Sequence, residues 1–177
     1  MKRLCFVALP VLLGLLTPQG ANAQTTATGT LTVSAVVNSS ISVVFNSDPS
    51  GVALGGSGTA AATLTFGNVQ AFGGTLAPGV VRTNGTDNFT VTSGVDVLVK
   101  KSNSNSPKYT LTAQLSTNDS TNTWTVGGVT VTSGSPAQIS ANGLYSSNVN
   151  FPVGITIPNS ENAGTINNVI NYTATAN

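Results

Sequence analysis

The chain has 177 residues, of which 6 are Lys or Arg, 5 are Asp or Glu and none is His, so that only 6% are charged, against roughly 25% in ordinary soluble domains. Without His, the sequence lacks the side chain that most often serves as general acid, general base or metal ligand. The few basic residues also argue against nucleic-acid binding, which needs a positively charged surface. With 40% hydrophobic residues and 19 Gly, the composition predicts a packed, uncharged, β-rich protein that is not an enzyme and holds no cofactor and no metal.

The first 23 residues have the pattern of a secretory signal peptide. Lys2 and Arg3 precede an apolar stretch from Leu4 to Leu16, and residues 21–23 (Ala-Asn-Ala) form a small-residue cleavage pattern. The apolar stretch is shorter than the roughly 20 residues that a membrane span needs. We therefore predict cleavage before Gln24 and a product, residues 24–177, that is secreted to the periplasm or the cell surface without a membrane span.

The only cysteine of the sequence, Cys5, lies within this predicted leader. The exported product would then have no disulfide, so its stability must come from burial and from backbone hydrogen bonds. A net charge of +1 for the full sequence is close to zero, which favours association between copies.

Alternation of apolar and polar residues runs along most of residues 24–177 and places alternate side chains on opposite faces of β-strands. The interleaved polar residues are mostly Thr, which suits the exposed face of a strand. The apolar members of these runs are Leu31, Val33, Ala35 and Val37; Ile41, Val43 and Phe45; Ala62, Leu64 and Phe66; Phe89 and Val91; Val95, Val97 and Val99; Tyr109, Leu111, Ala113 and Leu115; Trp124 and Val126; Val129 and Val131; and Phe151, Val153, Ile155 and Ile157.

Turn residues separate these runs at short intervals, and Gly127-Gly128 between two of them predicts a two-residue hairpin. No stretch has the 3.6-residue period of a helix. We therefore predict an all-β fold, one antiparallel immunoglobulin-like β-sandwich of Greek-key type spanning residues 24–177. The residues expected to face inward are Val33, Phe66, Leu111, Trp124 and Ile155.

The acidic residues, at positions 48, 87, 96, 119 and 161, are scattered, which favours exposed turn residues over a catalytic carboxylate pair. Asp48 and Asp119 each lie in an Asn/Ser-rich turn that could offer oxygens to calcium, but Asx turns explain both more simply. We predict no catalytic, cofactor-binding or metal site among them.

Three further features have competing interpretations. The glycine run Gly55–Gly58 lacks the Lys and the helix of a phosphate-binding loop, and the longer Gly-rich run from Gly51 to Ala61 is predicted to be a flexible loop. Lys100 and Lys101 end a predicted strand, where a charge pair discourages aggregation. Trp124 is expected to pack in the core rather than to form a sugar-stacking platform.

The C-terminal segment begins with Ala163-Gly164-Thr165-Ile166 and continues as an alternating run to the end of the sequence. The opening run at residues 30–37 and Leu64-Thr65-Phe66-Gly67 complete a pattern that resembles bacterial spore coat protein U domains and chaperone-usher fimbrial subunits. The resemblance implies assembly by β-strand addition, in which a strand of one subunit joins a sheet edge of the next. The candidate assembly strands are Leu31, Val33, Ala35 and Val37 near the N-terminus and Gly164, Ile166, Ile170, Tyr172 and Ala174 near the C-terminus.

These observations favour an exported, non-catalytic structural protein of the bacterial cell surface or extracellular matrix, a pilus- or coat-like subunit whose partners are itself or other surface subunits. The alternative is a secreted adhesin or carbohydrate-binding module whose loops recognise a ligand. We expect the C-terminal strand to pair within its own chain, with a bulge or polar pocket at Asn168. The arm from Gln24 to Val37 is the better candidate for exchange, since no cysteine restrains it.

Overall fold

The structure is a computed structural model that describes residues 28–177. The predicted signal peptide, residues 1–23, and the predicted mature terminus at Gln24 lie outside the described residues. Within residues 28–177 the chain forms eleven β-strands and no helix, and all strand pairs are antiparallel. The predicted all-β, antiparallel fold is therefore confirmed. In this part of the chain there is no helix long and apolar enough to cross a membrane.

The strands, which we number in chain order, form three sheets. The first sheet has the order β1-β4-β9, the second β2-β3-β10-β6-β7 and the third β11-β5-β8. The strands are β1 (Ser40–Ser47), β2 (Val81–Asn84), β3 (Asn88–Ser93), β4 (Val95–Ser102), β5 (Tyr109–Leu115), β6 (Thr123–Val126), β7 (Val129–Val131), β8 (Ala137–Gly143), β9 (Asn148–Asn150), β10 (Val153–Pro158) and β11 (Ile170–Ala176).

The first and second sheets are joined by continuous stretches of chain. Gly94 alone separates β3 from β4, and two residues, Phe151 and Pro152, separate β9 from β10. A Cβ at position 94 would lie 2.9 Å from both the Asn150 amide nitrogen and an Asp48 carboxylate oxygen, so a larger residue there would displace these two side chains. Through these two short connections the chain passes from one sheet to the other.

One core of buried apolar side chains is drawn from β3, β4, β5, β6, β7 and β10. Of the residues predicted to face inward, Leu111, Trp124 and Ile155 are buried, and Phe66 is half-buried against the core. Tyr109 is fully buried beside Gly143, where a Cβ would lie 2.1 Å from the tyrosine Cζ. The two-residue period therefore identifies the core face wherever the run forms a paired strand.

The predicted hairpin at Gly127-Gly128 is confirmed. These two residues join β6 to β7, and their φ angles of 56° and 80° are both positive. Positive φ at both central positions is what a type I′ turn requires, and glycine adopts it without a steric penalty.

The opening run does not form the predicted strand. Residues 28–39 have no regular secondary structure, and Val33 is 81% exposed, so its predicted inward orientation is wrong in the described structure. The alternation itself is present, but a strand also needs a neighbouring backbone for its hydrogen bonds. The chain divides into two compact units at the boundary between Ala35 and Val36, so that the folded unit described above comprises residues 36–177.

Candidate functional site

Two strands of the folded unit remain incompletely covered, β1 and β11. Within the described sheets, β1 pairs with β4 alone and β11 pairs with β5 alone. The apolar side chains of both strands are only half-buried, whereas the apolar side chains of β5 are almost completely buried. The half-buried residues are Ile41, Val43 and Phe45 on β1 and Ile170, Tyr172 and Ala174 on β11.

These two strands lie against each other along a border that we call the β1/β11 seam (residues 40–47 and 170–176), and their Cα atoms approach within 8 Å. The rings of Phe45 and Tyr172 make an edge-to-face contact with centroids 5.0 Å apart. Farther along, Ile41 and Ala176 line the same small cavity of about 80 Å³, together with Lys101 and Tyr145. Position 45 thus lies near 172 and position 41 near 176, so the two strands run in opposite directions along the seam.

The backbone of β11 has hydrogen-bonding groups directed away from β5. Asn177 N donates to Lys108 O at 3.0 Å, and Ser116 N donates to Val169 O at 2.8 Å, so the odd-numbered residues 169 to 177 face β5. Backbone groups alternate in direction along an antiparallel strand. Ile170, Tyr172 and Ala174 therefore direct their N–H and C=O groups toward the seam.

The backbone of β1 has the same property over its first half. Phe45 N donates to Thr59 O at 2.9 Å, and Phe45 O accepts from Gly58 N at 2.7 Å, so the groups of Phe45 point away from β4. Ile41 and Val43 share the parity of Phe45 and therefore also face the seam. β1 and β11 thus each have backbone donors and acceptors directed away from their paired strand, and such strand edges are what an added β-strand recognises.

The seam has no acid–base chemistry. Burial raises the pKa of the Tyr172 phenol, so this side chain is neutral and acts as apolar surface. Lys101 lies at one end, where its ammonium group is 4.9 Å from the centroid of the Tyr145 ring. Among the described residues, the seam has no nucleophile paired with a base.

The two predicted sets of assembly residues differ in local structure. Ile170, Tyr172 and Ala174 lie together on β11, which pairs with β5 within the same chain. Ile166 is half-buried before the strand, and Gly164 is exposed in an irregular segment. The N-terminal set, Leu31, Val33, Ala35 and Val37, is exposed and forms no strand.

The polar interruption expected at Asn168 is present as a side-chain bridge. Asn168 Oδ1 accepts hydrogen bonds from the backbone and hydroxyl of Thr117, at 3.3 and 3.1 Å, and Asn168 Nδ2 donates to Thr117 O at 3.0 Å. The side-chain amide of Asn168 thus makes hydrogen bonds to Thr117 just before β11 begins, in place of a pair of backbone groups.

Sequence reasoning missed that β1 forms the second border of the seam. Its alternation was visible, but whether a strand lies at the edge or the centre of a sheet depends on the arrangement of distant segments. The glycine run was likewise interpreted as flexible, whereas its Gly58 and Thr59 bind the edge of β1. Neither property has a local sequence signal.

The carboxylates have structural partners. Asn150 Nδ2 donates to Asp48 Oδ2 at 2.8 Å and to Asp96 Oδ1 at 3.3 Å, so one amide brings two of the scattered acids together. Ser50 N donates to Asp48 Oδ1 at 2.8 Å, which forms the expected Asx turn. Hydrogen bonds, that from the Ser50 hydroxyl foremost, hold the pKa of Asp48 below its ordinary value.

Asp119 forms the second Asx turn and also anchors the tryptophan. Its Oδ1 accepts from the backbone N–H of Thr121 and of Asn122, and its Oδ2 accepts from Trp124 Nε1 at 2.8 Å. Partial burial raises the pKa of Asp119, but these hydrogen bonds together lower it below the ordinary value. Trp124 is therefore a core residue with a satisfied N–H, as predicted. Across residues 28–177, no group of three or more His, Cys, Asp or Glu residues could hold a metal ion.

No protein-family model, curated protein or solved structure matches this chain. The resemblance to spore coat protein U domains and fimbrial subunits therefore stays a prediction. A functional proposal has to rest on the geometry of the seam and on the sequence.

Proposed function

We propose that the protein is an exported, non-catalytic structural subunit of the bacterial cell surface or extracellular matrix that polymerises by β-strand addition. The observation that carries the proposal is the β1/β11 seam, where two strands have half-buried apolar side chains and, within the sheets formed by residues 28–177, one paired neighbour each. Export is supported by the signal-peptide pattern of residues 1–23.

The strand that enters the seam is residues 30–37 of a second copy. This arm alternates apolar and polar residues, and its side chains are unusually exposed: Leu31 is 88% and Val33 81% accessible. At about 3.3 Å per residue, the arm spans about 26 Å and the seven residues of β11 about 23 Å. Donor and acceptor therefore match in length and in the two-residue period.

Insertion of the arm into its own seam is the competing arrangement. The arm would have to reverse at Asn38 and Ser39 to lie beside β1, which begins at Ser40. A two-residue hairpin loop requires positive φ at one or both central residues, and neither Asn38 nor Ser39 has it. A neighbouring copy can receive the arm without such a reversal.

The proposal includes an immunoglobulin-like Greek-key sandwich as the host fold. Its support is that the third sheet, β11-β5-β8, and the first, β1-β4-β9, contribute apolar faces to one core. Both sheets pair strands that are distant in sequence, as Greek-key connections do. β1 and β11 approach within 8 Å between Cα atoms, and a strand between them needs about 9.6 Å, so an incoming strand would part β1 from β11 before it extended this sandwich.

The second candidate function, a secreted adhesin or carbohydrate-binding module, is favoured by Phe72. This side chain is 71% exposed on a loop that the Arg82 guanidinium holds through hydrogen bonds to Gln70 O, at 2.7 Å, and to Gly73 O, at 2.6 Å. A fixed, exposed aromatic ring can stack on a sugar. Loss of glycan binding in Phe72→Ala, with polymerisation unchanged, would support this second function.

Size-exclusion chromatography and electron microscopy of the purified protein test strand addition directly. The key variant is Leu31→Asp/Val33→Asp, which places charges on the apolar parity of the arm. The matched control is Thr30→Asp/Thr32→Asp, with the same charges on the opposite parity. We expect fibres or oligomers for the parent and the control and monomers for the key variant. A monomeric parent, or fibres of the key variant, would contradict the proposal.

A further inference from the structure

The strand β2 stands at one end of the second sheet and has a single paired neighbour, β3, within residues 28–177. The opposite end of that sheet is covered, because β7 contacts β8 and Leu115 N of β5 donates to Thr132 O, directly after β7, at 3.0 Å. Along β2, Val81 is 59% exposed, and Thr83 and Asn84 are also exposed. β2 is therefore an accessible sheet edge.

The backbone of β2 directs the groups of two residues away from the sheet. Gly85 N donates to Asn88 O at 2.8 Å across the turn to β3, so in the register of this strand pair the groups of Thr83 face β3. Because these groups alternate in direction along an antiparallel strand, the N–H and C=O groups of Arg82 and Asn84 point away from β3. No strand within residues 28–177 pairs with them.

The sequence of β2 lacks the features that most firmly block a second strand at a free edge. Such edges often carry Lys, Pro or a bulge, whereas β2 reads Val-Arg-Thr-Asn and keeps a continuous register with β3. The charge of Arg82 is engaged within the chain, since its guanidinium donates to Gln70 O at 2.7 Å and to Gly73 O at 2.6 Å. The edge can therefore accept another strand.

We infer that β2 pairs antiparallel with β2 of a second copy about a two-fold axis. In one register, Arg82 lies opposite Asn84 of the second copy and Thr83 lies opposite its own equivalent, so that both outward-directed residues of each strand exchange backbone hydrogen bonds. A slip of two residues in either direction leaves only one such pair within β2. In one of these slips the two Arg82 residues face each other, and like charges directly opposite are destabilising.

The side chains on the outer face of the second sheet fit this register. Thr83 is the end of a row of threonines at matched positions on neighbouring strands, which continues with Thr90 on β3, Thr156 on β10 and Thr123 on β6. The hydroxyls of Thr90 and Thr156 are hydrogen-bonded at 2.7 Å. Pairing of two copies extends this row from Thr83 to its equivalent, and cross-strand threonine pairs stabilise a sheet.

A single contact of this kind is weak. The four residues of β2 cover far less than the roughly 800 Å² that each partner of a stable complex buries, so two isolated copies dissociate readily. Copies already joined in a polymer form many such contacts at once, and their strengths combine. The β2 pairing therefore joins polymers side by side, and in this role the inference rests on the proposed function.

The variant Thr83→Cys tests the pairing, in a Cys5→Ser background that leaves no other cysteine in the sequence. In the inferred register the Cα atoms of the two residues at position 83 are about 4.5 Å apart, within the range that a disulfide bridges. The matched control, Val81→Cys, lies on the same face of the same strand, but its two copies are about 14 Å apart. After oxidation with diamide we expect a reducible dimer from Thr83→Cys and none from Val81→Cys.

The variant Asn84→Pro removes an N–H that points away from β3 and none that β3 uses, which is the position at which an edge strand accepts proline. Its control is Asn84→Ala, which keeps this N–H. Combined with Thr83→Cys, Asn84→Pro should lose the cross-linked dimer, and Asn84→Ala should retain it. Circular dichroism shows whether each variant is folded.

The variant Thr83→Lys covers the case in which proline unfolds β2, because it places two Lys side chains opposite each other at the two-fold axis. Its control is Thr130→Lys, at an exposed position of β7. In electron micrographs, fibres of the parent and of Thr130→Lys should lie side by side, and those of Thr83→Lys should stay single.

The possible results separate this inference from the proposed function. Fibres of the parent with no dimer from Thr83→Cys, or with equal dimer yields from Thr83→Cys and Val81→Cys, would overturn the β2 pairing and leave strand addition intact. A parent without fibres would overturn the proposed function. In that sample a dimer from Thr83→Cys alone would still support the β2 pairing, and its absence would overturn the pairing as well.

Discussion

The ring of Phe45 meets the ring of Tyr172 edge-on, with centroids 5.0 Å apart and planes inclined at 67°. This contact joins the two strands that border the seam, although the strands belong to different sheets. Edge-to-face aromatic pairs contribute about 0.5–1.5 kcal/mol beyond their buried area. The pair therefore holds β1 and β11 against each other at this point of the seam.

A double-mutant cycle measures this contribution. We expect Phe45→Leu and Tyr172→Leu, combined in the monomeric Leu31→Asp/Val33→Asp background, to show a coupling free energy of about 0.5–1.5 kcal/mol. Urea denaturation followed by circular dichroism supplies the free energies of unfolding. Strictly additive single-variant effects would mean that the two rings do not stabilise each other.

Leu111 tests the core at the centre of β5. The side chain is fully buried, so Leu111→Ala should lower the free energy of unfolding by about 2–5 kcal/mol. The control Thr130→Ala, at an exposed position of β7, should stay within about 0.5 kcal/mol of the parent. A loss for Leu111→Ala as small as that of the control would contradict the core assignment.

The variant Gly143→Ala tests whether the space beside Tyr109 can accept a methyl group. Because an added Cβ would lie 2.1 Å from the tyrosine Cζ, Gly143→Ala should destabilise the protein by about 1–3 kcal/mol. At Gly134 the nearest atom to an added Cβ is 3.9 Å away and φ is not positive, so Gly134→Ala should be neutral or slightly stabilising. Equal thermal midpoints for the two variants would show that Tyr109 can move aside.

These assignments show what sequence periodicity can and cannot predict here. Leu111, Trp124 and Ile155 were placed correctly because the side-chain period of a strand is a local property. Val33 follows the same period but lacks a partner strand, and pairing is not encoded within the run itself. The edge position of β1 and the contact between Thr59 and Phe45 depend on how separate segments of the chain pack together. A single run of residues does not encode this packing. The seam could therefore be anticipated on its β11 side but not as a whole.

The pH dependence of stability follows from Asp48 and Asp119, whose pKa values both lie below the ordinary value of 3.8. A carboxyl group with a lower pKa in the folded state stabilises the fold above its unfolded pKa and loses this contribution as pH falls through the folded pKa. Since the sequence contains no His, we expect nearly constant stability from about pH 5 to 8 and a decline below about pH 4.

The variant Asp119→Asn isolates the contribution of the Asp119 carboxylate to the pH dependence of stability. The variant should be less stable than the parent at pH 7 and should lose less stability between about pH 5 and 2, because the titrating group is gone. Asp87→Asn serves as the control. Thermal midpoints measured across this pH range check the expectation, and parallel profiles for Asp119→Asn and the parent would contradict it.

A peptide of residues 28–37 should bind the seam of the monomeric Leu31→Asp/Val33→Asp variant, because that variant retains β1 and β11 but cannot fill a neighbour's seam. A ligand that binds only the folded state stabilises it by about 2.7 kcal/mol at one hundred times its dissociation constant. The thermal midpoint should therefore rise with peptide concentration. A control peptide carrying Leu31→Asp and Val33→Asp should have no effect, since its backbone is the same but its apolar parity is lost.

The active peptide should also slow polymerisation of the parent protein by competing for the seam. If both peptides raised the midpoint equally, the apolar floor of the seam would not be what selects the strand, and if neither did, the seam would not be an acceptor.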